Sequence, residues 1–482
     1  MPNPDRQVSE SSRTRGAARE EAAGAAPALS ACLARFGAID PAEIPESVLK
    51  RARLHAMDAL GLALASHGQA YREPTLAAVT EMASPGEASV IGLNRRFAPR
   101  DAALINGVLI HGLDYDDTHL ASIVHPTAAS LPACLAVGEH LGASWIEVLA
   151  AYAIGAEVSI RLGAAIDGGL HHVGFHATGV LSHFGSAMSA GRLLGLSDVQ
   201  LQAAQGIAAS TASGVQVFLE TGAWTKRLHP GWGAVAGITA AYLARNGFVA
   251  PLRPYDGRFG LFEAFLHGHP VKTDALLDGL GRQWRFAETA IKPYPACHFV
   301  HGCIDAAIEL HAELGADVAD VTQVTAWLPA PTMPIVAEPI ESKRNARTDY
   351  EGKFSAPYCV ATALLKGRFG LAELESPALA DPRTRALAQR VSCSVDPDSR
   401  FPTFFSGGVS VRLADGRTLQ RHVPVNKGAG DRSLTPDDLV AKFLDTAGPY
   451  LGTSRARQVA DLLLDASPRS VRDVMQALVP AS

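Results

Sequence analysis

The stretch WIEVLAAYAIGAEVSIRL, residues 145–162, decides the fold class of this chain. Alanine, glycine and large aliphatic residues follow one another along it without a proline, which predicts a helix buried on several sides. Its small residues allow neighbouring helices to approach closely. Because Glu157 and Arg161 interrupt the apolar run, we expect the core helix of a compact all-helical domain and no membrane span.

Helical patterns continue on both sides of this stretch. From about residue 28 to residue 279, apolar residues recur at the spacing of about 3.6 that is typical of packed helices. Ser197 is a predicted N-cap, and Asn246-Gly247 is a predicted helix stop. The further predicted helices cover residues 46–66, 101–112, 127–141, 179–195, 198–211 and 231–246.

The pattern changes after about residue 285. Residues 321–328 alternate and are rich in β-branched side chains, which predicts a strand, and residues 407–423 predict a hairpin that turns at Asp415-Gly416. Helices are predicted at 300–314 and 355–366, and again from Pro436 onward. The sequence therefore predicts a mainly α fold with these parts: a disordered tail over 1–27, a large all-helical domain over 28–285 and 430–482, and a smaller α+β unit over 286–429.

Composition excludes several classes of function. The net charge of -5 over 482 residues gives no argument for nucleic acid as a partner. The six cysteines form no C-x-x-C pair and show no zinc or iron–sulfur spacing, so we expect a reducing cytoplasm. The first 25 residues lack an apolar core, which argues against a secretory signal. The phosphate-binding, dinucleotide-binding and nucleophile-elbow motifs are absent from the sequence, which disfavours nucleotide chemistry and serine hydrolysis.

The segment HGLDYDDTH, residues 111–119, is the first candidate site. Together with His125-Pro126 it places three carboxylates and three histidines between two apolar segments. Holding so many ionisable groups near a core is costly unless they pair or take part in chemistry. A solvated acidic loop that caps the following helix is the alternative.

Three downstream segments repeat this concentration of histidines and cations. They are HHVGFHATG (171–179), TKRLHPG (225–231) and KPYPACHFVHG (292–302). The first two precede predicted helix starts, where an anion is favoured, although a structural histidine or an exposed basic turn explains each one alone. His298 and His301 are three apart and could share a helix face, but no partner stands at metal-ligand spacing.

Taken in this order, the segments resemble the motifs of the MmgE/PrpD family, which contains 2-methylcitrate dehydratase, cis-aconitate decarboxylase and iminodisuccinate epimerase. The resemblance covers about residues 28–470. It implies a large helical domain, an α+β lid domain, a homodimer, and no cofactor, metal or iron–sulfur requirement. The matching motifs are HGLDYDDTH with HPTAASLP, GFHATG, TKRLHPG, KPYPACHFVHG and GKFSAPYCVA.

The resemblance also implies an active site, residue by residue. The implied catalytic residues are His125, His176, Asp114 and Lys226. The implied substrate-binding residues are Thr118, Lys292 and Tyr358, to which we add Cys297 and His298. Decarboxylases of the family have a histidine directly after the Pro-Ala of the fourth motif, where this chain has Cys297. His298 is one residue further on and is expected to point elsewhere, which argues against decarboxylation.

The chemistry shared within the family is proton transfer at a carbon next to a carboxylate. Cations in a dry site stabilise the negative charge that builds up on that carboxylate. We expect Lys226 and Lys292 to bind the substrate carboxylates, and His125 and His176 to form the acid/base pair. Asp114 is expected to orient and charge-tune an adjacent histidine.

Four functions agree with these residues. We expect a metal-independent hydro-lyase that dehydrates a small tricarboxylate such as 2-methylcitrate, in propionate catabolism. An epimerase or isomerase of an iminodisuccinate-like dicarboxylate is the alternative, followed by a cis-aconitate decarboxylase and then by a non-catalytic carboxylate-binding protein. The expected partners are the di- or tricarboxylate and a second copy of the chain, with no nucleic acid and no membrane.

Overall fold

The computed structural model describes residues 27–481. The tail predicted over residues 1–27 therefore lies outside the described residues, except for Pro27. The described chain is mainly helical with one small four-stranded sheet and a two-stranded ribbon, so the predicted fold class is confirmed.

The N-terminal part is built almost entirely from helices. A short antiparallel ribbon, β1 (Ala88–Ser89) with β2 (Arg96–Phe97), is the exception. Ser197 and the Asn246-Gly247 stop occupy the predicted helix ends. The helices are α1 (Leu29–Gly37), α2 (Glu46–Ala65), α3 (Arg72–Met82), α4 (Pro99–His111), α5 (Pro126–Leu141), α6 (Trp145–Ile166), α7 (Gly169–His172), α8 (Ala177–Leu193), α9 (Asp198–Ala209), α10 (Phe218–Thr221), α11 (Thr225–Arg245), α12 (Leu261–Leu266) and α13 (Thr273–Leu277).

Helix α6 lies in the core, as its composition predicts. A Cβ atom at Gly155 would lie 2.5 Å from the carbonyl oxygen of Gly185 on α8, so only glycine permits this approach of the two helices. Glu157 and Arg161 form a fully buried ion pair on α6, with Nε and Oε1 2.7 Å apart. Helix α6 is long and apolar enough to cross a membrane by length and composition, but 94% of its apolar window is buried inside the protein.

A second close contact brings the site together. Helices α4 and α11 cross where a Cβ atom at Gly107 would lie 2.4 Å from Cα of Gly231. The C-terminal end of α4 thereby approaches the N-terminal turns of α11. Helix α11 begins at Thr225, six residues before the predicted start, so the segment TKRLHPG is helical and does not precede the helix. Pro230 is tolerated inside α11, although proline normally favours a break.

The smaller part contains a four-stranded sheet in the order β4-β3-β5-β6. Strand β3 (Val321–Leu328) pairs in parallel with β4 (Val391–Val395) and antiparallel with β5 (Gly407–Leu413). Strand β6 (Thr418–Val423) completes the predicted hairpin with β5, around Asp415-Gly416. Strand β4 was missed from sequence because it is a short edge strand, exposed at its C-terminal end and without strong alternation.

Helices surround this sheet and then return to the large part. Helix α14 (His301–Leu314) packs on β5 and β6, and α18 (Ala356–Lys366) packs on α14. The last helices pack against α2 and α5. The remaining helices are α15 (Met333–Val336), α16 (Ile340–Arg344), α17 (Asp349–Lys353), α19 (Ser376–Leu379), α20 (Pro382–Ala388), α21 (Pro436–Leu451), α22 (Thr453–Leu464) and α23 (Val471–Ala477).

Two hydrophobic clusters dominate the described chain. The larger contains apolar residues between 29 and 291 and between 439 and 478. The smaller covers residues 290–429 and also takes Leu120 and Phe218 from the helical part. The segments that carry the candidate site residues therefore lie where the two clusters meet.

Candidate active site

A cavity lies between the acidic segment after α4, the first turns of α5, α8 and α11, and the chain before α14. Eight of the nine candidate residues contribute to its wall. Two further polar side chains on the wall, His171 and Gln216, were not among the candidates. Its apolar wall includes Phe218, Ile335 and Phe354, which limit the access of water to the polar groups. The candidate residues on the wall are Asp114, Thr118, His125, His176, Lys226, Lys292, Cys297 and His298.

Backbone pairing holds the acidic segment against the segment that carries Lys292. Thr118 and Ala290 exchange both backbone hydrogen bonds, with N···O distances of 2.8 and 2.9 Å. Before this bridge, the backbone N–H of Phe286 donates to Glu157 of α6 at 2.8 Å. The chain is thus fixed to the core on one side of Ala290 and to the acidic segment at Ala290 itself, which positions Lys292 two residues later.

Asp114 joins the two lysines. Its Oδ1 accepts from Nζ of Lys226 at 2.7 Å and from Nζ of Lys292 at 3.0 Å, and its backbone carbonyl accepts from Lys292 at 2.8 Å. Burial raises the pKa of the Asp114 carboxyl, but the two ammonium groups lower it more, so the pKa lies well below its ordinary value. Asp114 has φ 53°, a left-handed conformation that aspartate tolerates better than most residues.

Asp114 therefore contacts both lysines directly, a role that the sequence did not predict for it. It holds the two lysines in place, while its neighbours Asp116 and Asp117 orient His111 and His125. Sequence spacing could not separate these three carboxylates because they lie within four residues of each other. The left-handed backbone at Asp114 turns its side chain toward α11, and that turn is a tertiary feature.

His125 is the N-cap residue of α5 and is held in one tautomer. Its Nδ1 lies 2.8 Å from the backbone carbonyl of Asp117, which can only accept, so Nδ1 carries the proton. Its backbone N–H donates to Oγ1 of Thr178 at 3.1 Å, which ties the start of α5 to the start of α8. The Nε2 lone pair of His125 is thus available for a base.

His176 is the N-cap residue of α8 and pairs with another histidine. Its Nδ1 lies 3.0 Å from Nδ1 of His229 on α11, so one proton is shared between the two rings. Burial, with the neighbouring His229 and Lys226, keeps the pKa of His176 well below its ordinary value. The ring is therefore neutral at physiological pH and can take up either tautomer.

His111, the last residue of α4, lies beside His125 and His176. Its Nδ1 is 2.8 Å from Oδ2 of Asp116, and its ring centroid lies 4.7 Å from that of His125 and 5.8 Å from that of His176. Burial lowers the pKa of His111 to about 4. The sequence selected neither His111 nor Asp116 as a site residue and left Asp116 a structural role, although their spacing of five across a helix end was a usable signal.

Cys297 and His298 both line the cavity, so the expectation that His298 points elsewhere is corrected. Cys297 is the N-cap residue of a 3₁₀ turn that begins at His298, so the two side chains leave the backbone at the turn's first residues. Nε2 of His298 lies 2.9 Å from Nδ2 of Asn426. Burial and the Asp114 carboxylate raise the pKa of the Cys297 thiol, which leaves it protonated and a poor nucleophile.

Tyr358 is the candidate that the structure places elsewhere. It is buried in α18, and its hydroxyl donates to the backbone carbonyl of Glu373, outside the cavity wall. The motif that carries it still reaches the cavity through Phe354. We therefore assign Tyr358 no contact with substrate.

Two groups of side chains in this region have metal-ligand geometry. The ring nitrogens of His111, His125 and His176 lie within 4.8 Å of one another, and so do ligand atoms of Asp114, Asp116 and His125. The three histidines come from the ends of three separate helices, so sequence spacing does not bring them together.

Comparison with known proteins gives a consistent assignment. The MmgE/PrpD N-terminal domain matches residues 33–274 and the MmgE/PrpD C-terminal domain matches residues 294–466. A cis-aconitate decarboxylase-like protein of Aspergillus oryzae is 27% identical over 445 residues, which is 88% of this chain and 92% of that protein. The human cis-aconitate decarboxylase is 30% identical over 364 residues, 74% of each chain.

A third relative has a different activity. It is a 2-methylcitrate dehydratase of Cupriavidus necator, 25% identical over 358 residues, which is 70% of this chain and 72% of that protein. Both domains of the family match, and the quoted motifs lie within the matched regions except for Lys292 and Pro293, which directly precede the second one. The chain therefore belongs to the MmgE/PrpD family, in which these relatives are decarboxylases and a dehydratase.

Proposed function

We propose that this protein is a lyase that acts on a small tricarboxylate by proton transfer at a carbon next to a carboxylate, with dehydration of a 2-methylcitrate-like substrate as the reaction. The observation that carries the proposal is the convergence of Lys226 and Lys292 on Asp114 in a cavity that also contains His125 and His176. Cations for carboxylates and imidazoles for protons are what this reaction requires.

The lysines retain donors for a substrate. An ammonium group has three N–H donors; Lys226 uses one on Asp114, and Lys292 uses two on the same residue. The two lysines and Asp114 together carry one net positive charge, which favours an anion. Because Asp114 holds both ammonium groups at the cavity wall, they can stabilise the charge that develops on a substrate carboxylate when the neighbouring carbon loses its proton.

The two histidines have different tasks in this reaction. The hydrogen bond to the Asp117 carbonyl keeps the ring proton of His125 on Nδ1. His125 therefore acts through Nε2 as the base that takes the proton from carbon. When the shared proton is on His229, His176 carries its own proton on Nε2 and hydrogen-bonds the departing hydroxyl group, which leaves as water with the proton that His125 has taken from carbon. The products are water and an alkene conjugated with the carboxylate.

Decarboxylation of cis-aconitate is the second candidate, because the human relative carries that activity in its name. It would use the same lysines for the carboxylates and a histidine to protonate the alkene carbon as carbon dioxide leaves. The cysteine at position 297 is the feature that argues against it, since the resemblance implies a histidine there in the decarboxylases.

A substrate panel separates the candidates. Incubation with 2-methylcitrate or citrate is expected to increase the ultraviolet absorbance of a conjugated alkene, whereas decarboxylation would release carbon dioxide from cis-aconitate. Release of carbon dioxide from cis-aconitate, without alkene formation from 2-methylcitrate or citrate, would assign the second reaction. Exchange of solvent deuterium into a dicarboxylate, with neither product formed, would refute both and support an epimerase.

Variants test whether this cavity is the active site. Lys226→Met is expected to lower kcat/KM by about 10²–10³, because one cation facing the developing charge is lost. The control is Lys50→Met, at an exposed lysine on α2 that does not line the cavity. Equal activity of the two variants would place the active site elsewhere.

A further inference from the structure

We propose that His111, His125 and His176 form a binding site for a divalent transition-metal ion such as Zn²⁺, and that the metal-bound protein is inactive. The site is a property of the folded chain and is not required for the proposed reaction. Metal binding itself is independent of the proposed function, whereas the loss of activity rests on it.

The geometry of the three rings supports this site. Their ring nitrogens already lie within 4.8 Å of one another. Zinc binds imidazole nitrogen at about 2.0–2.1 Å in a tetrahedral arrangement, which corresponds to nitrogens about 3.3 Å apart. Side-chain movements of about 1 Å would bring the rings to that distance. Three histidines with a fourth position open to the cavity is the ligand set of many zinc enzymes.

The partners of the three Nδ1 atoms leave Nε2 as the ligand atom of every ring. Nδ1 of His111 donates to the Asp116 carboxylate, and Nδ1 of His125 donates to the Asp117 carbonyl. Nδ1 of His176 faces His229, which can accept its proton. Metal-bound histidines almost always donate their other ring N–H in this way to a carboxylate, a carbonyl or a comparable acceptor.

Three buried polar atoms without hydrogen-bond partners in residues 27–481 belong to residues of this site. Nε2 of His111, Oδ2 of Asp114 and Oδ1 of Asp116 are all buried and have no hydrogen-bond partner within the described chain. The two carboxylates lie beside His125, with ligand atoms within 4.8 Å of its ring. A dication among these rings would give the orphaned groups a favourable electrostatic partner.

The bound metal would block the chemistry of the cavity. Coordination uses the Nε2 lone pair of His125, which the proposed reaction needs as a base, and it fixes His176 in the tautomer that cannot donate from Nε2. A tricarboxylate and the metal would therefore oppose each other at this site. We expect Zn²⁺ to inhibit, and a chelator to restore activity without being needed for it.

Direct binding provides the test. The full-length protein, freed of metal by a chelator and gel filtration, is titrated with CoCl₂ and ZnCl₂. We expect one ion per chain by calorimetry and the visible absorption of four-coordinate Co²⁺ on nitrogen ligands. This readout does not depend on activity, so it stands even if the proposed reaction is wrong. Absence of any Co²⁺ band at saturating metal would overturn the proposal.

Variants then locate the ion. His111→Gln is expected to lower the affinity for Co²⁺ by at least about 100-fold, and Asp116→Asn by about 10–100-fold through the orientation of His111. The matched control is His171→Gln, a histidine on the same cavity wall outside the three-ring group, which is expected to bind like the wild type. Equal affinity of wild type and His111→Gln would overturn the site.

The melting temperature of each variant is measured first, because His111 is buried. Should His111→Gln fail to fold, Asp116→Asn and His171→Gln decide the question: weaker binding by the former alone supports the site. Equal binding by both variants refutes it. Inhibition by Zn²⁺ that is unchanged in Asp116→Asn would likewise assign the effect to a different, surface-bound ion.

Discussion

The Asp114→Asn substitution probes the centre of the site. Asp114 accepts from two ammonium groups at 2.7 and 3.0 Å, and all three charges are buried. Asparagine keeps the shape and one acceptor oxygen but removes the negative charge, so Lys226 and Lys292 are left buried and mutually repulsive. Removal of one partner from a buried ion pair typically costs about 3–5 kcal/mol.

This loss of unfolding free energy corresponds to a decrease in the melting temperature. An unfolding entropy of about 2.1 cal/mol/K per residue gives about 1 kcal/mol/K for a chain of 482 residues. Asp114→Asn is therefore expected to lower Tm by about 3–5 °C at pH 7. Scanning calorimetry at several scan rates measures the difference. The control is Asp415→Asn at an exposed pair with Arg417, for which no measurable change in Tm is expected.

The pH dependence of the difference has a definite sign. The folded pKa of Asp114 lies below its unfolded value, so its stabilisation is fully present above about pH 4 and is lost as pH falls through the folded pKa. The Tm gap between wild type and Asp114→Asn is expected to be constant from about pH 5 to 8 and to close in stronger acid.

A double substitution strengthens the test. In Asp114→Asn/Lys226→Met one of the two stranded ammonium groups is gone, and part of the lost Tm should return. A Tm for Asp114→Asn within about 1 °C of wild type at pH 7 would refute the reasoning, because residues 27–481 offer Lys226 no other acceptor at hydrogen-bond distance.

Further expectations concern the acid/base pair, the clamp, the cavity wall and pH. His125→Gln should lower kcat by about 10²–10⁴ with unchanged Tm, measured by steady-state kinetics; unchanged kcat would exclude it as the base. Lys292→Met should weaken tricarboxylate binding in calorimetry, and equal affinity would contradict its role in the clamp. Cys297 should react with iodoacetamide only slowly at pH 7, and rapid labelling followed by mass spectrometry would contradict its raised pKa. Since unfolded histidines take up protons near pH 6.5 and buried neutral ones do not, Tm should fall as pH drops from about 6.5 toward 4, whereas a flat Tm would show that they are not buried neutral. Burial lowers the pKa to about 4 at His111, His171, His183 and His229.

Local physics accounts for what could be predicted from the sequence. Helices such as α2 and α6 follow from apolar periodicity and caps, which depend on residues close together in the chain. The hairpin at Asp415-Gly416 follows from its turn residues in the same way. The family resemblance then selected the side chains of the cavity, because each motif is contiguous and its residue types carry the chemistry.

The sequence by itself predicted the helical fold class and nine site residues, eight of which line the cavity. Only the tertiary structure decided which groups these residues contact. Lys226 and Asp114 are 112 residues apart, and the crossing of α4 and α11 at two glycines brings them together. Whether a side chain such as Tyr358 points into the cavity or away from it depends on packing with distant elements. Periodicity and motif spacing contain no information on that direction, because neither records which groups meet across the fold.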